Sequence, residues 1–200
     1  GREAGAMTMI NATRSLLAVV LLAAGVPASN AVGGVHVAET TAKTRLDGLF
    51  AKLKGAATEA EAQQVEAAIW QAWIHTEDGD VAQVMSRVQF AMRAGMYDLA
   101  LGELDKVVQI APKYAEGWNR RATVLFLLKR DLESVRDIQH VLSLEPRHFG
   151  ALSGLGLIHM RAGNWKSALE SFRKALEINP FLKERGLIEA LEKKVEGQPL

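Results

Sequence analysis

Residues 149–182 read FGALSGLGLIHMRAGNWKSALESFRKALEINPFL, and the two preceding blocks of equal length, 115–148 and 81–114, keep the same pattern. Pro112, Pro146 and Pro180 stand 34 residues apart and take three of the five prolines in the chain. A fixed period of this size marks stacked supersecondary units. Apolar residues recur in register: Val84, Trp118 and Leu152 at the fourth position of each block, and Leu104, Ile138 and Phe172 at the twenty-fourth. Val107, Val141 and Ala175 follow at the twenty-seventh, and Ile110, Leu144 and Ile178 at the thirtieth. The eighth position (Val88, Ala122, Gly156) and the twentieth (Ala100, Ser134, Ala168) stay smaller, as close helix contact requires. Spacings of three and four predict helix A, then a turn near Gly95 or Gly163, then helix B. The proline ends each unit because it lacks an amide donor and clashes with the turn before it. One such hairpin leaves an apolar face bare, and stacking covers it.

Trp118, Ala122, Leu155, Gly156, Gly163, Ala168, Phe172, Ala175 and Pro180 carry a resemblance to the tetratricopeptide repeat (TPR) family. The resemblance implies an all-α, right-handed α-solenoid of three repeats, 81–114, 115–148 and 149–182, with flanking capping helices. The second copy departs from the family pattern at Lys129 and Asp131, where Gly and an aromatic are preferred, which leaves its inter-helix turn the least specified.

On the amino-terminal side, Leu46, Leu49, Phe50 and Leu53 share one helical face. Thr58 with Glu61 forms a capping-box start for a second helix reaching about His75, with Val65, Ala68, Ile69, Ala72 and Trp73 as its stripe. Residues 44–78 therefore read as a helical pair, either a cap or a degenerate repeat, in which Trp73 takes a position that is usually small. Asp78-Gly79-Asp80 is the turn into the first repeat. After Pro180, Leu182, Leu187, Ile188 and Leu191 among charged neighbours predict a carboxy-terminal capping helix over 183–196.

Residues 7–31 have the makeup of a secretory signal peptide: Arg14, an apolar run from Leu16 to Val26, then small residues that allow cleavage after Ala28 or Ala31. Residues 1–6 read as an upstream extension and 32–43 as a linker. The competing reading is an uncleaved anchor, which Gly25, Pro27, Ser29, Asn30, Gly33 and Gly34 disfavour by interrupting the apolar run. The expected location is thus periplasmic or secreted, with an inner-membrane anchor facing the periplasm as the alternative.

Composition narrows the function. The formal net charge is +1 with no block of five or more like charges, which argues against a nucleic-acid partner. Without cysteine, disulfides, thiolate metal sites and a thiol nucleophile are excluded. His36, His75, His140, His148 and His159 show no metal-ligand spacing, and no phosphate loop or nucleophile motif occurs. Gly150, Gly154 and Gly156 fall inside a helix, where smallness serves packing. The chain reads as a non-enzyme with no cofactor, no metal and no small-molecule substrate.

In the family, positions two, five, six, nine, twelve and thirteen of helix A line a concave groove. The resemblance therefore points to Met85, Gln89, Met92 and Arg93, then Asn119, Arg120, Thr123 and Phe126, then Ser153, Leu157, Met160 and Arg161. Met92, Phe126 and Met160 would form an apolar stripe of adaptable side chains, or else pack against the adjoining helix. Asn119 could pair with a peptide backbone, and Arg93, Arg120 and Arg161 would orient acidic groups. A carboxylate clamp known in the family needs Lys, Asn and Arg at positions two and six, where this chain has Ala82, Ser86, Glu116, Arg120, Gly150 and Gly154. That mode is disfavoured. The expectation is a periplasmic adaptor of bacterial type binding a protein or peptide segment; a self-associating or membrane-tethered envelope component, and a chaperone for unfolded clients, are the rivals.

Overall fold

The computed structural model describes residues 35–197, with side chains from residue 43 onward. The leader expected at 7–31 and the extension at 1–6 lie outside the described residues. The described chain is helical throughout: α1 (Val35–Lys54), α2 (Glu59–Ile74), α3 (Gly79–Arg93), α4 (Tyr97–Ile110), α5 (Ala115–Leu127), α6 (Asp131–Leu144), α7 (Phe149–Arg161), α8 (Trp165–Ile178), a 3-10 turn (Lys183–Leu187) and α9 (Ile188–Glu196).

The repeats form three hairpins, α3–α4, α5–α6 and α7–α8, each stacked on the next into an α-solenoid. Small residues set the closeness of each hairpin. A Cβ on Gly156 would come within 2.6 Å of the Phe172 ring, so α7 and α8 could not meet as they do with any other residue there. In the second hairpin the Ser134 hydroxyl donates to the Ala122 carbonyl at 2.7 Å, which turns a small polar side chain into a tie between α5 and α6. The prolines lie just past the ends of α4, α6 and α8, whose last residues are Ile110, Leu144 and Ile178.

The turn of the second repeat forms despite its departure from the family pattern. Gly95 and Gly163 have φ of 71° and 75°, and Lys129 adopts the same left-handed conformation at 61°. Its hydrogen bonds match as well: the Arg130 amide donates to the Leu125 carbonyl at 2.8 Å, as Met96 does to Ala91 and Asn164 to His159. The lysine accepts a conformation that costs an L-residue about 1 kcal/mol because these bonds satisfy the end of α5.

The ends differ from the sequence expectation in two ways. Helix α1 begins at Val35, so the described part of the segment read as a linker, 32–43, is helical. The pair α1–α2 also does not extend the stack in chain order. Asp78 caps α3 by accepting from the amides of Asp80 and Val81, which lets the chain change direction there. The apolar cluster of α2 then includes Phe149, Leu152 and Ala175 of the third repeat, and no cluster joins α2 to α3. At the other end α9 closes the solenoid, with Leu191 against Ala168, Leu169 and Phe172.

Candidate binding trough

Helices α5 and α7, the A helices of the second and third repeats, lie side by side and form the floor of a trough. Helix α2 rests on them. Trp70 sits over Gly150, where a Cβ would fall 2.5 Å from the indole, so this glycine is a notch cut for the ring. Trp73 stacks flat on His148, with centroids 4.0 Å apart and planes 10° from parallel, and tilts against Phe149 at 5.0 Å. Polar contacts pin the helix at its middle and its last residue: Asn179 Nδ2 donates to Glu66 at 2.9 Å, and the Tyr114 hydroxyl donates to the Ile74 carbonyl at 2.6 Å. Arg147 reaches across to α1, pairing with Asp47 at 2.6 Å while its guanidinium covers the Phe50 ring.

Beneath α2 lies a buried charge cluster. Glu116 is fully buried, accepting from Arg120 Nε at 2.8 Å and from Asn119 Nδ2 at 3.0 Å. Burial alone would raise its carboxyl, but the Arg120 charge and the adjacent His148 hold it below the usual carboxylate range. His148 Nδ1 accepts from the Ala151 amide at 3.1 Å and so caps α7, leaving Nε2 facing Glu116 at 3.5 Å. Burial also raises the Tyr114 hydroxyl far above its ordinary value. Glu184, from the 3-10 turn, is buried beside Ser153; burial pushes its carboxyl up, and the charge of Glu66 pushes the same way.

These contacts redistribute the residues that the sequence assigned to the groove. Asn119 and Arg120 are buried and turned onto Glu116, so neither faces a ligand. Ser153 is buried on the trough floor. Met85 and Met92 are buried in the cluster shared by the first two repeats, Phe126 joins that of the second and third, and Met160 packs near Phe172 and α9. The stripe expected from the 34-residue spacing is thus divided among three packed clusters. Gln89, Thr123 and Leu157 are half-buried, Thr123 donating to the Asn119 carbonyl at 3.0 Å. Arg93 is exposed without an ion-pair partner among the described residues. Arg161 is exposed, pairs with Asp131, donates to the Phe126 carbonyl at 3.0 Å and stacks over the Phe126 ring at 3.8 Å. The open half of the face therefore holds Gln89, Arg93, Thr123, Leu157 and Arg161, while α2 covers the other half. A further depression is lined by Arg121, Asp105, Asp137, Arg130 and Glu133, which pair with one another, and by Arg136. Among the described residues no group of histidines and carboxylates is arranged to hold a metal ion.

Sequence reasoning placed α2 correctly as a helix but missed it as the occupant of the trough. The usable signals were Gly150 at a position where helix A ordinarily carries a side chain, and the adjacent oversized pair Trp70 and Trp73.

Comparison with known proteins fits this geometry. The tetratricopeptide repeat family model matches residues 149–182. A TPR repeat-containing protein of Rhizobium etli is 36% identical over 168 residues, covering 82% of each chain. The chain belongs to the tetratricopeptide repeat family. Among solved structures, the first TPR domain of Spaghetti bound to an HSP90 peptide superposes with a TM-score of 0.58 at 18% identity, covering 62% of this chain and 99% of that one. The TPR2B domain of yeast Sti1, in complex with pHsp70, gives 0.54 at 18%, covering 61% and 100%. At these identities the structures share the TPR fold with this chain. Within that fold, position two is closed here in the second and third repeats, Glu116 by Arg120, which itself holds position six, and Gly150 by Trp70.

Proposed function

We propose that this TPR chain is a non-catalytic protein-interaction scaffold that binds a polypeptide segment along the face lined by its A helices. One observation carries the reading: the face already accommodates an amphipathic helix, α2, with an indole seated over Gly150 and another stacked on His148. A surface shaped for its own helix is shaped for a polypeptide. The TPR domain of Spaghetti, similar in fold, holds an HSP90 peptide, which supports the same class of ligand. Contact with a partner begins on the open half, where Arg93, exposed and outside any ion pair among the described residues, favours an acidic segment, joined by Arg161 once a carboxylate displaces Asp131. Export belongs to the same proposal, on the strength of Arg14 and the apolar run Leu16 to Val26; no helix among the described residues is long and apolar enough to cross a membrane.

A photo-reactive residue at Thr123 tests the binding face. In cells it should form a discrete adduct, and Arg93→Glu with Arg161→Glu should remove that adduct while leaving helicity unchanged. Persistence of the adduct in the double variant would exclude the open half. Intact mass of the exported protein tests cleavage after Ala28 or Ala31.

A second reading, self-association, is favoured by the bare start of the solenoid. At the tenth repeat position Val124 and Ile158 are 0% and 4% exposed against the preceding hairpin, whereas Phe90 is 69% exposed. With Met96 and Leu99 also exposed, this end offers a surface to a second copy. A concentration-dependent mass in sedimentation, abolished by Phe90→Glu, is its signature.

A further inference from the structure

The seam between α2 and the trough is built unlike the seams between repeats. Within a repeat and between repeats, buried polar groups find partners, as Ser134 does on Ala122 and Glu116 on Arg120 and Asn119. The buried side-chain atoms that the described residues leave without a well-formed hydrogen bond are Trp73 Nε1, His148 Nε2, which stands 3.5 Å from Glu116, Ser153 Oγ and Glu184 Oε2. All four meet at or beside α2: Trp73 is on it, His148 lies under Trp73, and Glu184 lies beside Ser153 and feels the charge of Glu66. Glu184 is 2% exposed and has no ion-pair partner among the described residues, and Glu66, held by Asn179 at 2.9 Å, adds a second carboxylate nearby. Buried polar groups are normally satisfied, and a cluster of exceptions at one interface marks the interface that opens at least cost. The shape of the trough favours α2, with a notch for Trp70 and a flat seat for Trp73. Its polarity does not.

We propose that α2 is a resident, displaceable occupant, and that the partner entering this trough is an amphipathic helix with an aromatic residue for the Gly150 notch and, about one turn before it, a lysine or arginine in place of Glu66. The aromatic reproduces the contact that shapes the floor. The cation pairs with Glu184, which α2 leaves facing another acid. Displacement releases α1 together with α2, because Arg147 holds α1 through Asp47 and Phe50 only while the pair is docked. Binding on the open half and opening of the covered half are then two stages of one event. This inference rests on the reading of the A-helix face as a polypeptide-binding surface.

The test uses the full chain and synthetic peptides of residues 59–74. In the wild-type chain, hydrogen exchange should find the amides of α2 opening about tenfold or more faster than those of α5 to α8. In the chain carrying Trp70→Ala and Trp73→Ala, which should lose no more helicity by circular dichroism than α1 and α2 contribute, the trough is vacated. A labelled 59–74 peptide should bind this variant about tenfold tighter than it binds the wild-type chain. The Glu66→Lys peptide should bind tighter than the parent, and a Trp70→Ala peptide should not bind. Equal protection of α2 and α5 in the wild type would show α2 to be integral core and would overturn the proposal. So would equal binding of the parent and Glu66→Lys peptides. If the vacated chain binds neither peptide while Thr123 still crosslinks to a partner, this inference fails and the scaffold reading stands; peptide binding without any crosslink at Thr123 gives the reverse.

Discussion

Helix α3 and helix α7 hold the same place in their repeats and fare differently. Helix α7 meets α6 before it, α8 beside it and α2 across the first turns of its face. Helix α3 begins the stack, and Gln83, Ser86 and Phe90 are exposed on it. The 34-residue pattern sets register and hairpin geometry alike in both. What lies over the outward faces is decided by an element outside the repeat, and that element goes to the third repeat and not the first. Repetition therefore determines how units meet one another, and leaves free which unit meets something else.

Mutations can widen or erase this contrast. The largest effect belongs to the charges beneath α2. Glu116→Ala strands Arg120 in a fully buried setting and should cost about 3–5 kcal/mol, read as a fall in the denaturant midpoint. At the same repeat position of α3, which is exposed, Ala82→Glu should shift stability by no more than about 0.5 kcal/mol. Gly150→Leu comes next: the added side chain meets Trp70 and should cost about 1–3 kcal/mol while raising accessibility of Trp70 and Trp73 to a quencher.

The third effect is a pH dependence. Because burial raises the carboxyl of Glu184, the folded chain takes up a proton there more readily than the unfolded chain does. The stability this gives is complete below the ordinary carboxylate range and disappears as pH rises through the raised value. Glu184→Gln should accordingly increase stability at neutral pH by about 1 kcal/mol and flatten the loss between mildly acidic and neutral pH, in melts across that range. Glu116 has the opposite sign: its lowered carboxyl stabilises above the ordinary range and stops doing so as pH falls through its own value. The smallest effect is at the bare end, where Phe90→Ser should change stability by no more than about 0.5 kcal/mol. A large loss there would mean that the start of the stack is covered after all.

The repeats were legible because their information is local and periodic. Pro112, Pro146 and Pro180 set the junctions, and the small residues of the eighth and twentieth positions set the closeness of each pair. Even the deviant turn at Lys129 forms, since a residue in the left-handed region costs little beside the carbonyls that the turn satisfies. The trough was less legible. Its decisive contacts join α2 to residues far along the chain, and no period links Trp70 to Gly150 or Trp73 to His148. Arg120 illustrates the limit: its position matched a ligand-facing arginine, but Glu116 four residues earlier on the same helix had already claimed it. The apolar stripe gave way to the alternative read beside it, packing against the adjoining helix, because each of Met92, Phe126 and Met160 has an inter-helix gap to fill, with Phe126 and Met160 left half-buried.

The ion pair between Asp47 and Arg147 spans 100 residues of chain, and the hydrogen bond between Glu66 and Asn179 spans 113. Contacts so distant in sequence form late, since a long stretch of chain must be ordered before they close. On a ribosome α1 and α2 thus emerge well before their seat. Until the third hairpin is synthesised, Trp70 and Trp73 lack their resting place, and for that interval a nascent polypeptide displays two indoles to whatever is nearby.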